Sequence, residues 1–142
     1  MGREFAPSEW ILVDQARIDA FAAATGDHQF IHVDPERVSR ETPFPGTLAH
    51  GFLLLSLAAG HRQRDFPPVS DVALVLNYGL DRLRFTSPVF AGSRVRYRSR
   101  VLAAEPRGPG RTLLRQEAVM EVEGQEKPAV VAELLAIYVA RG

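Results

Sequence analysis

Thr42-Pro-Phe-Pro-Gly-Thr-Leu-Ala-His-Gly51, running into Phe-Leu-Leu-Leu-Ser-Leu-Ala-Ala-Gly over positions 52–60, is the stretch on which the fold turns. Prolines and glycines keep its first half out of regular structure. Its second half is an almost unbroken apolar run bounded by His61, Arg62 and Gln63. A helix that is apolar all round is a buried one, so the stretch reads as a loop feeding a core helix from His50 to Gln63. A helix begun near Ala49 or His50 presents the N–H of Gly51 in its first turn, where backbone amides lack intrahelical partners and the dipole favours negative charge. Two readings of Gly51 follow: an oxyanion donor, or a residue that permits close packing.

Around this helix the periodicity divides the chain. Upstream, Asp14 is a good N-cap for a helix over Gln15 to Thr25, whose Ile18, Phe21 and Ala22 recur at helical spacing, and Gly26 is the matching stop. Downstream, Pro67 and Pro68 close the helical region and apolar, β-branched runs follow. Four long strands are expected, about Asp71 to Phe85, Ser93 to Glu105, Thr112 to Val122 and Pro128 to Ala140, with a first short strand near Trp10 to Val13. Short connections make the last strands antiparallel hairpins. The last, AVVAELLAIYVA, is apolar on both faces, as a covered central strand is. The implied class is α+β: a curved antiparallel sheet wrapped around the 50–63 helix.

Thr25-Gly-Asp-His-Gln-Phe-Ile-His-Val-Asp-Pro35 carries the chemistry. Asp27 leaves the first helix at its end. Asp34 followed by Pro35 reads as the N-cap and first residue of another short helix, so His32 falls in the connecting loop just before it. A tight connection can aim a carboxylate and an imidazole at one point, where they hold a water and move its protons. On spacing alone, capping plus a solvated histidine is the competing account.

Together these segments resemble the MaoC-like dehydratase family, the (R)-specific enoyl-CoA hydratases of hot-dog fold. By that resemblance Asp27 and His32 match the catalytic aspartate and histidine. Ala49-His50-Gly51, with Ser56 five residues on, matches the hydratase motif in which the glycine amide holds the thioester oxygen and the serine supports the acid/base loop. Asn77-Tyr-Gly-Leu-Asp-Arg-Leu-Arg-Phe-Thr-Ser-Pro-Val89 looks like the strand of the nodulation-protein-N-like branch. Many members read Gly-Asp-x-Asn-Pro-x-His; here Gln29 stands for the asparagine, keeping an amide with one more methylene, and Phe30 for the proline. The activity implied is hydration of a trans-2-enoyl thioester to an (R)-3-hydroxyacyl thioester, or the reverse. The substrate carrier is coenzyme A or acyl carrier protein, with no metal or redox cofactor. Thioester hydrolysis on the same fold and non-catalytic acyl-thioester binding are the alternatives.

The chain's 142 residues fit a single domain over 1–142. Seventeen Lys+Arg balance 17 Asp+Glu, so nothing points to nucleic acid. The absence of cysteine excludes disulfides, thiolate zinc sites and a cysteine nucleophile. Met-Gly-Arg-Glu-Phe lacks a signal peptide's apolar core and 52–60 is too short to span a bilayer, so a cytoplasmic address without membrane contact is expected. Arg94, Arg96, Arg98 and Arg100 alternate onto one strand face, either to meet carrier phosphates or simply as a solvated outer surface. Arg82 and Arg84 have the same two readings, with Asp81 as a salt-bridge partner. His28 and His32, four apart on a loop, lack a third metal ligand in sequence. Phe30 and Phe52 are candidates for an acyl pocket or for ordinary core. A sheet of about five strands on one helix leaves an open edge, from which a homodimer or higher homo-oligomer is expected.

Overall fold

The computed structural model describes residues 2–65 and 71–142, the side chains of 62–65 excepted. Pro67 and Pro68 therefore lie outside the described residues. In chain order the elements are β1 (Ile11–Val13), α1 (Gln15–Thr25), α2 (Phe30–Val33), α3 (Pro35–Glu41), α4 (Gly51–Asp65), β2 (Val72–Phe85), β3 (Ser93–Pro106), β4 (Arg111–Val122) and β5 (Val130–Ala140). The five strands form one antiparallel sheet in the order β1-β3-β4-β5-β2.

Helix ends follow the caps. Asp14 accepts the Arg17 N–H at 2.9 Å and Asp34 accepts that of Arg37 at 3.1 Å, each side chain satisfying an amide that has no partner within its helix. Pro35 occupies the first turn of α3, where its missing N–H removes nothing.

Strand alternation builds the floor of the core. Val95, Tyr97 and Ser99 of β3 are buried opposite Val122, Met120 and Ala118 of β4, while Arg96 and Arg100 pair outward with Glu121 and Glu117. Leu53, Leu54 and Ala58 of α4 pack into the same core cluster as Val95, Tyr97 and Met120. Each buried Val or Leu side chain contributes about 1.5–3 kcal/mol. Tyr97 adds a polar tie, its hydroxyl donating to the Leu54 carbonyl at 2.8 Å across the sheet–helix boundary. The sheet thus curls around α4 in the hot-dog arrangement. β5 lies between β4 and β2 and buries residues from both of its faces, as its apolar pattern predicts.

Candidate active site

Local chain geometry delivers the acid first. Gly26 caps α1 in the left-handed conformation (φ 80°), which favours glycine, and its N–H returns to the Ala22 carbonyl at 2.8 Å. Asp27 follows, exposed, with its Oδ1 3.4 Å from the Gln29 N–H. Gln29 precedes α2 as its N-cap residue, and its carbonyl accepts the His32 N–H at 3.0 Å. His32 therefore lies in a helical turn, which corrects the expectation of a loop. Between the Gly26 stop and the Asp34 cap there is room for one turn, closed by the Asp34 N–H on the Phe30 carbonyl at 3.0 Å.

The His32 ring is buried and oriented. Its Nδ1 lies 2.7 Å from the Leu48 carbonyl. A carbonyl only accepts, so Nδ1 carries a proton, and in the neutral ring Nε2 keeps the lone pair. The segment before α4 is held to α2 by the same contact and by the Leu48 N–H on the Ile31 carbonyl at 2.9 Å. Gln15 completes the clasp: its Nε2 donates to the His32 carbonyl at 2.8 Å while its Oε1 accepts the Thr47 hydroxyl at 2.5 Å. Sequence reasoning missed Gln15, whose partners lie 17 and 32 positions away and leave no local pattern.

His50 joins the pair from a separate segment. Its Nε2 donates to the Asp27 backbone carbonyl at 3.0 Å, and its ring stacks on His32 with centroids 3.9 Å apart and planes 20° from parallel. Asp27, His32 and His50 place ligand-type atoms within 4.8 Å of one another, a cluster that sequence spacing could not reveal. Nearly parallel imidazoles set their lone pairs side by side, whereas an ion at about 2.1 Å needs to lie near both ring planes. The geometry suits proton handling better than coordination.

Gly51 opens α4. The Leu54 N–H reaches the His50 carbonyl at 3.2 Å, so the amides of Gly51, Phe52 and Leu53 precede the helical ladder. A Cβ on Gly51 would sit 2.8 Å from Phe85 Cε2, closer than packed carbons come. The close-packing account of Gly51 therefore holds, and it is compatible with a donor role, since the same lack of a side chain brings the backbone near an occupant. Phe52 is 64% exposed and so is no core residue; it meets the Phe85 ring edge-on at 5.8 Å. Phe30 is covered by the Arg37 guanidinium, 4.0 Å above its ring.

The remaining candidates go elsewhere. Ser56 is exposed, and its hydroxyl donates to the Phe52 carbonyl of its own helix at 2.8 Å. Arg96 meets Glu121 at 2.7 Å and lies over the Trp10 ring at 4.3 Å, Arg98 also bonds Glu121, and Arg100 reaches Glu117 at 3.5 Å. Burial opposes ionisation of Glu121, yet hydrogen bonds from Arg96 and Arg98 hold its carboxyl below the ordinary value. Arg96, Arg98 and Arg100 thus form a paired outer face, and Arg94 is exposed beside them. Asp81 bonds Arg115, not Arg82 or Arg84, because register sets Asp81 opposite Glu133, which Arg115 also reaches. His28 is exposed, and His61 is buried and stacked with Tyr97.

Residues 1–122 match the MaoC like domain family. The chain belongs to the MaoC-like dehydratase family. It is 48% identical to Nodulation protein N of Rhizobium leguminosarum bv. viciae over 96% of this chain and 85% of that one. It is 45% identical to 3-hydroxyacyl-thioester dehydratase Z of Mycobacterium tuberculosis (strain ATCC 25618 / H37Rv), over 98% of this chain and 91% of that one. The solved structure of an (R)-hydratase from A. caviae involved in PHA biosynthesis superposes with a TM-score of 0.77 at 27% identity, covering 95% of this chain and 93% of that chain. The family resemblance, including its nodulation-protein-N-like branch, is borne out. So is the hot-dog fold. In this MaoC-like chain, two motifs distant in sequence meet at the entrance to α4.

Proposed function

We propose that the protein hydrates a trans-2-enoyl thioester to an (R)-3-hydroxyacyl thioester, or runs the reverse dehydration. The observation that carries this reading is the convergence of Asp27 with a His32 whose Nδ1–H is committed to Leu48, leaving Nε2 as the proton acceptor. Similarity to a 3-hydroxyacyl-thioester dehydratase and to an (R)-hydratase supports it. Asp27 and His32 hold one water; its hydroxyl adds to C3 and a proton passes to C2 on the same face. The pair takes one proton from water and returns one to carbon, so its protonation is unchanged over a turnover. The Gly51 amide, at the positive end of α4, stabilises charge that develops on the thioester oxygen. Phe52 and Phe85, both exposed beside Gly51, offer the acyl group apolar surface. Gln29 supports the water through the turn it shares with Asp27. The carrier is coenzyme A or acyl carrier protein, and the working unit is a homodimer.

The test follows loss of enoyl absorbance with crotonyl-CoA and purified protein. Turnover that yields (R)-3-hydroxybutyryl-CoA is the expected result. Binding without turnover would mark a carrier protein, and release of free coenzyme A a thioesterase; either refutes the hydratase reading.

A further inference from the structure

His50 is an expensive residue to bury. It is 2% exposed, and its Nδ1 has no hydrogen-bond partner among the described residues. An unsatisfied buried polar atom costs about 1–3 kcal/mol. A phenylalanine of similar size would fill the space beside Phe21, whose ring lies 4.9 Å away, without that cost. What the imidazole adds is the Nε2–H donated to the Asp27 carbonyl at 3.0 Å, while its face backs His32 at 3.9 Å. One side chain thus touches both halves of the acid/base pair, and neither contact uses the reacting atoms: it holds the main chain of Asp27 and a ring face of His32. It is also joined directly to Gly51, so all three elements of the proposed mechanism meet at its backbone or its ring.

We infer that His50 is a positioning residue, which locks the Asp27 loop to the His32 ring and to the start of α4 and so sets the distance between acid, base and oxyanion donor. The inference rests on the acid/base reading of Asp27 and His32. Its energetic logic is orientation: misplacement of a reacting group by about 1 Å can cost on the order of 10²-fold in rate. Three substitutions separate the two contacts. His50→Gln keeps an N–H near the Nε2 position and loses the ring; His50→Phe keeps the stacking face and loses the donor; His50→Ala loses both.

The expected kinetic result is a fall in kcat of about 10- to 100-fold in His50→Ala with KM within about twofold, and partial recovery in both His50→Gln and His50→Phe. Unfolding curves verify that each variant is folded, and if His50→Ala does not fold the other two carry the comparison. A second readout is independent of turnover. In ¹⁵N spectra of the histidines, His32 should show the Nδ1–H tautomer set by Leu48 in the native protein, and its ring signals should shift or broaden in His50→Gln, where the stacking face is lost. Amide exchange at Asp27 to Gln29 should rise at least about tenfold in His50→Phe, where the donor to the Asp27 carbonyl is lost. Unchanged His32 signals and loop exchange would overturn the inference, as would a loss confined to KM. If the native protein lacks hydratase activity, the proposed function fails, while the spectra still decide whether His50 positions the pair.

Discussion

Asp27 and His32 differ in burial and in what holds them, yet act on one proposed water. Asp27 is exposed with a weak 3.4 Å turn contact, whereas His32 is buried with its ring fixed by Leu48. Asp27→Asn and His32→Ala should each lower kcat by about 10²- to 10⁴-fold, the range for a positioned acid or base. Together they should cost little more than either alone, since removing one partner already disables the shared water. A double-variant loss equal to the product of the single losses would show that the two act independently. At Gly51 the constraint is steric. An added methyl meets the Phe85 ring, so Gly51→Ala should keep the fold and lower kcat/KM by about 10- to 100-fold as the ring or the helix start shifts. Phe85→Leu in the same chain relieves that contact and should restore part of the loss; steady-state kinetics of both variants give the comparison, and a fully active Gly51→Ala would refute the steric account, since alanine keeps the backbone N–H.

α4 and β3 are joined by the Tyr97 hydroxyl on the Leu54 carbonyl, deep in the core. Burial pushes the Tyr97 pKa well above its ordinary value of about 10. The folded chain thus keeps a proton that the unfolded chain releases above about pH 10, so stability is intact below that pH and declines above it. Tyr97→Phe should cost about 1 kcal/mol at pH 7 through the lost hydrogen bond. The gap between native protein and variant should shrink above pH 10, because phenylalanine has no proton to lose. Urea unfolding at pH 7 and pH 10.5 measures both, and a gap that stays constant between them contradicts the account.

Beyond single elements, β2 closes one end of the sheet as a 14-residue strand with Leu74, Leu76, Tyr78 and Leu80 between 40% and 54% exposed. A long apolar edge carries a row of unpaired backbone groups and invites pairing with another chain. The two-fold solution uses the same patch on both partners, and we expect a homodimer on this edge. Leu76→Lys should shift the protein toward monomer in light scattering across a dilution series and, with the acyl pocket proposed to be shared between partners, lower activity with it. A monomer that stays fully active on dilution would refute both the assembly and its link to catalysis.

Caps, periodicities and turns are properties of neighbouring residues, and the strands and helices they specify were legible to within a few positions. Asp14 and Gly26 bracket α1 because a side-chain acceptor and a left-handed glycine act within one turn. Alternation of Val95, Tyr97 and Ser99 with arginines names the inner face of β3 without reference to any partner. Asp27, His32 and Gly51 stood out for a related reason, as chemistry-bearing types at breaks between elements. What sequence left open depends on distant residues. Whether the arginine row is free or paired was decided by the register that sets Glu117 and Glu121 across from it. Gln15, His50 and the turn around His32 acquired their parts only when α1, α2 and the segment before α4 came together. Hydrogen bonds and ring stacking act over a few ångströms, and residues 16 to 32 positions apart reach that distance only in the folded chain.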